Sequence, residues 1–223
     1  MAQVTKLEKR FARKEQKRKI NFREKRVYFL IVCEGTKTEP QYFASFETNF
    51  PPYTLDIETV GTGKNTLGVV EAAIQKRNSS SKKYDSVWAV FDRDSFLEQN
   101  FNNAIKKAAA NGIKCAWSNE AFELWYILHF KYMDTGISRK DYRRHITSQF
   151  KKELPAFKYK KNDPEMYALL AKHGNQKQAV AWAKRLEKQY TGNDFAKHNP
   201  RTRVYALVEE LNNPQNVPTG KNM

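Results

Sequence analysis

The sequence predicts an α/β fold: a mostly parallel sheet flanked by helices, with a helical C-terminal region. Three observations carry this. Continuous apolar runs, VYFLIVC (27–33) and the centre of DSVWAVFD (85–92), read as strands buried on both faces, the habit of parallel sheets. Helical patterns separate these runs, which is the rhythm of βα units. After about residue 133 the strand signals stop and amphipathic helical patterns continue alone.

The elements follow in order. Residues 1–26 have few apolar anchors and carry 11 basic against 3 acidic side chains. They read as a mobile or conditionally helical arm. Arg10, Arg13, Lys14, Lys17 and Arg18 would lie along a phosphate backbone, the alternative being a solvated tail. VYFLIVC opens an α/β core spanning 27–133. EPQYFASFETNF (39–50) reads as a helix broken by Pro51-Pro52, and YTLDIETV (53–60) alternates like a strand. NTLGVVEAAIQKRN is a helix running into Ser79-Ser80-Ser81. DSVWAVFD is a buried strand, and LEQNFNNAIKKAAANG a helix that Gly112 closes. IKCAWS is a short strand, and EAFELWYILHF a mostly apolar helix.

The helical region, 134–211, begins with Ser138 and Asp141 at capping-box spacing. DPEMYALLAKHG has Asp163 as cap, Pro164 in the first turn and Gly174 as stop. The last two helices place Ala179, Trp182, Ala183 and Leu186, then Val204, Leu207, Val208 and Leu211, on single stripes. This region either packs on the sheet or forms its own lobe. Residues 212–223 read as a disordered end.

Composition narrows the function classes. The 223 residues hold 40 Lys and Arg against 24 Asp and Glu, a formal charge of +16 that points to a polyanionic partner, most often nucleic acid, DNA or RNA. Solubility alone is the plainer account of such a charge. Two cysteines, Cys33 and Cys115, give no disulfide framework and no zinc site. The absence of a long apolar run or a signal-peptide pattern leads us to expect a cytoplasmic protein with no membrane partner.

The acids carry the chemistry. Ligands of parallel sheets gather at the carboxyl ends of strands. Glu34 closes the first strand, Asp92 and Asp94 close another, and Glu123 lies at the start of the helix after KCAWSN. Converging carboxylates repel one another, and a hard divalent cation, Mg²⁺ or Mn²⁺, relieves that repulsion through oxygen ligands. Such an ion can polarise a phosphoryl oxygen or activate water. Asp92 and Asp94, two apart in extended chain, would face one side, with Arg93 turned elsewhere and expected, like Lys37, to hold a phosphate of the nucleic acid. Gly35 permits the turn that aims Glu34, and Thr36, Lys37 and Thr38 add donors suited to phosphate.

Each acid also has a plainer account. Glu34 could pair with a lysine. The aspartates could form a turn and cap a helix, and Glu120 and Glu123 could complement a helix dipole. GTGKNT (61–66) lacks the first glycine of a P-loop and reads as a strand-to-helix turn that lends Lys64 to a phosphate. His129 follows an apolar helix and reads as structural, and Trp88, Trp117, Trp125 and Trp182 read as core.

Taken together, IVCEGTKTEPQYF, VWAVFDRDSF, SNEAFELWYILHF and NPRTRVYALVEEL resemble the RloB-like family, whose core is similar to a Toprim domain. The resemblance covers 27 to about 211. It implies metal-dependent phosphodiester cleavage, with Glu34, Asp92 and Asp94 at the positions of the Toprim acids and Glu123 at the glutamate of S-N-x-x-F-E. It also implies a place in restriction and phage-defence loci, where a neighbouring gene often encodes an ATPase. The runner-up reading is an effector subunit inactive without that ATPase. Glu120 departs from the family pattern, which commonly has proline there.

Overall fold

The computed structural model describes residues 24–93 and 97–219. The arm residues Arg10, Arg13, Lys14, Lys17 and Arg18, together with Asp94, lie outside the described residues. The first strand, β1 (Lys25–Cys33), is buried on both faces because its side chains alternate between two cores. Val27, Phe29, Ile31 and Cys33 enter one core, and Leu30 and Val32 the other. This explains why the run is apolar throughout rather than alternating.

Next come α1 (Thr38–Ala44), β2 (Asn49–Phe50), β3 (Tyr53–Gly61), α2 (Thr66–Ser79), β4 (Ser86–Asp92), α3 (Glu98–Ala110) and β5 (Lys114–Asn119). The sheet has six strands in the order β2-β3-β1-β4-β5-β6, where β6 is Arg201–Thr202. β3, β1, β4 and β5 run parallel, and β2 and β6 are short antiparallel edges. The helix expected over 39–50 stops at Ala44, where Ser45 turns its hydroxyl back onto Gln41 O at 2.8 Å. The freed segment pairs as β2 with β3.

Beyond the sheet lie α4 (Glu123–Leu128), α5 (Arg139–Phe150), α6 (Met166–His173), α7 (Gln176–Glu187) and α8 (Val204–Asn212). All five contribute to the core that also holds α1 and one face of the sheet. α2 and α3 cover the opposite face. The helical region therefore packs on the sheet. Ser138 stands at the N-cap of α5, but its hydroxyl donates to the Asp141 carboxylate (2.7 Å) rather than capping a backbone group. α6 starts later than Asp163 would place it; that carboxylate accepts from Glu165 N–H (3.0 Å), and Glu165 is the N-cap. Gly112 does close α3, at φ +65. Within the end expected to be disordered, Pro214–Asn216 form a 3-10 turn, and Val217 is buried in the main core. Its apolar side chain supplies the anchor that composition alone did not suggest. Among the described residues, no helix is long and apolar enough to cross a membrane.

Candidate functional site

Topology brings the acids together. β1 has β3 on one side and β4 on the other, both parallel to it. The connection from β1 packs α1 on one face, and the crossover from β3 to β4 packs α2 on the other. The carboxyl ends of β1 and β4 are therefore the topological switch point, the place where open α/β sheets bind ligands.

Glu34 is the first residue past β1. Its N–H donates to Val90 O (2.8 Å), and its Oε2 accepts from Asp92 N–H (3.1 Å). Asp92 ends β4 with its side chain 15% exposed. The loops after β1 and β3 are strapped together: Gly63 N–H donates to Glu34 O, and Thr62 N–H to Cys33 O, both at 2.9 Å. Gly61 is required for this approach, since a Cβ there would stand 2.5 Å from Thr36 Cα.

A third carboxylate, Glu39, joins them. It sits in the first turn of α1 and is 8% exposed, and its Oε2 has no hydrogen-bond partner. It folds over Gly35, where a Cβ would lie 2.0 Å from that same oxygen. Sequence reasoning assigned Glu39 only to a helix. The available signal was EGTKTE, a second acid one short turn after the strand-end acid. Glu123 opens α4, and its Oε1 accepts from the Tyr159 hydroxyl at 3.0 Å.

The electrostatics report the crowding. Burial first, then Glu39, holds the Asp92 carboxyl well above the usual carboxylate range. Glu123 and Glu34 push the same way, and the Arg139 guanidinium opposes them. Arg139 Nη2 is 3.4 Å from Asp92 Oδ2 and 3.3 Å from Glu120 O. Burial also raises the Glu39 carboxyl, and Glu123 adds to this; its own backbone N–H, Lys161 and Arg139 act against it. Arg139, Tyr159 and Lys161 come from the helical region, which thus contributes to the site from far along the chain.

Carboxylate oxygens are the donors that a hard divalent cation takes, and one of these, Glu39 Oε2, is buried without a hydrogen-bond partner beside Gly35. Among the described residues, no group of three or more His, Cys, Asp or Glu side chains is drawn together tightly enough to hold a metal ion.

The remaining candidates are placed as follows. Lys37 is the exposed N-cap residue of α1, and Lys64 is exposed in the turn before α2, where Asn65 caps the helix through Gly68 N–H (3.0 Å). GTGKNT is thus the strand-to-helix turn its spacing predicts. Arg93 pairs with Glu98 (3.7 Å), its side chain 18% exposed. Glu120 meets Arg139 through its backbone carbonyl. His129 is buried with Nδ1 on Trp125 O (2.9 Å), and burial lowers its pKa to about 4, so it is a structural neutral imidazole.

Compared with known families, residues 29–211 match the family described as RloB-like protein. No curated protein and no solved structure matches the chain.

Proposed function

The chain belongs to the RloB-like protein family, and from that premise we propose that it is a Mg²⁺- or Mn²⁺-dependent nuclease of Toprim type, cleaving phosphodiester bonds of DNA or RNA in phage defence. The observation that carries this reading is the convergence of Glu34, Glu39, Asp92 and Glu123 at the switch point, with one Glu39 oxygen buried and unpartnered, in a chain of net charge +16. Glu34, Glu39 and Asp92 would hold the ion, and Asp94, two residues after Asp92, would add a ligand. A bound ion would supply polarisation of a phosphoryl oxygen and a more acidic water. The chain's own groups do the rest. Glu123, which accepts from the Tyr159 hydroxyl, would accept a proton. Arg139, paired with Asp92, would exchange that contact for a phosphate, and the exposed Lys37 and Lys64, in the loops after β1 and β3, would hold neighbouring phosphates.

Labelled DNA, total RNA and transfer RNA incubated with Mg²⁺, Mn²⁺ or EDTA test this reading, with wild type beside Asp92→Asn. Cleavage is expected with either metal for wild type only, while Asp92→Asn keeps its nucleic-acid affinity. Wild-type cleavage by the variant refutes the assignment.

The Arg139–Asp92 pair favours a second reading, an effector held silent by that contact until a partner ATPase disturbs it. Under it the purified chain is inactive and co-expression with the neighbouring ATPase yields a complex. Full activity of the isolated chain rules it out.

A further inference from the structure

One basic surface beside the carboxylates has no role so far. α5 buries Tyr142, Ile146 and Phe150, spaced by four on one stripe. That orientation turns Arg143, Arg144, Thr147, Ser148 and Lys151 outward, where they line an open cleft of about 420 Å³. The lining has three cations and two hydroxyls, and no carboxylate. Arg144 pairs with Asp141 at 2.9 Å, but its side chain is 79% exposed, so water and salt screen the contact. Tyr159 connects the cleft to the acids. Its backbone N–H donates to Thr147 Oγ1 (3.2 Å), and its hydroxyl donates to Glu123 Oε1 (3.0 Å). Thr147, accepting there, keeps its O–H as a donor. The charge of Arg143 is felt at the Tyr159 hydroxyl. The cleft and the carboxylates thus lie at the two ends of one tyrosine.

We propose that this cleft is a phosphate subsite, seating a backbone phosphate of the nucleic-acid strand next to the one presented to the carboxylates. The proposal rests on the acid cluster being where the phosphodiester is met. Guanidinium forks and hydroxyls suit phosphate oxygens, and such contacts set the register of the strand without reading its bases.

The test is binding of the full chain to labelled single-stranded RNA, and to DNA of the same sequence, in EDTA across a salt series. R143E/K151E is compared with K83E/K106E. The second pair makes the same charge change in the loop before β4 and on α3 across the sheet, where both lysines are exposed. The cleft pair is expected to weaken binding at least tenfold more than the control pair. It should also reduce the slope of log affinity against log salt by about 1.4, at about 0.7 per lost contact to a single strand. R143A/K151A, which adds no negative charge, should give the same change of slope if the reversal disturbs folding. Equal weakening by both pairs, or an unchanged slope, overturns the proposal. Wild type that binds through the cleft yet leaves the strand uncut in both Mg²⁺ and Mn²⁺ would refute the nuclease reading instead, so the two failures are distinguishable.

Discussion

Replacing Glu39 by glutamine separates a functional carboxylate from a structural one. The side chain is buried, one oxygen has no partner, and burial with Glu123 raises its pKa. Glu39→Gln keeps a polar atom at that place but removes the charge that burial and Glu123 oppose, and each kcal/mol so relieved should raise the melting temperature in EDTA by about 2–4 °C for a chain of this size. The response to metal should move the other way. An ion at a hundredfold its dissociation constant stabilises the native state by about 2.7 kcal/mol, and Glu39→Gln should lose most of that gain. The pH dependence has a definite sign. The Asp92 and Glu39 carboxyls lie above their ordinary values of 3.8 and 4.5. The native chain therefore retains protons that the unfolded chain has released. The cluster's contribution to stability in EDTA falls as pH rises above that window and returns as pH falls, opposite to ion-paired carboxylates. Thermal unfolding in EDTA and in excess Mn²⁺, at several pH values, reads all three effects. A Glu39→Gln protein that melts lower in EDTA yet keeps the full metal response would refute the reasoning.

Three further perturbations follow from the fold. In Gly61→Ala the new methyl meets backbone atoms of Thr36 and Gly35, so the Glu34 turn must shift; about 1–3 kcal/mol of stability and nearly all cleavage should be lost. Gly112→Ala is the control: φ is +65 but nothing lies within 4 Å, so it should cost about 1–2 kcal/mol through the backbone alone and leave cleavage intact. His129, with its pKa lowered from 6.5 to about 4, stays neutral in the fold while the unfolded chain takes up a proton. Its contribution, up to about 3 kcal/mol, is present above 6.5 and is lost as pH falls toward 4. An NMR titration should show its ring unprotonated at pH 6, and a midpoint near 6.5 would contradict its burial.

What was legible in the sequence followed from local chemistry. β1 and β4 announce themselves because both faces are buried, and their ends place Glu34 and Asp92 without any tertiary information. The helical region was legible as helices, but its packing was not, since amphipathic stripes do not name the surface they meet. β2 and β6 have two residues each, too few to show an alternation. Glu39 was hidden because helix and site claim the same residue, and the helical pattern is the louder signal. Arg139 and Tyr159 were hidden for a different reason. They reach Asp92 and Glu123 across 47 and 36 residues of chain, and only the folded sheet makes those separations short.

The central claim is that these carboxylates share a divalent ion. Anomalous scattering from a Mn²⁺-soaked crystal of the full chain tests it most directly. The account predicts a peak at the carboxyl ends of β1 and β4, bounded by Glu34, Glu39 and Asp92 and absent from Asp92→Asn. Wild-type crystals with no peak there, or Asp92→Asn crystals that keep one, would contradict it.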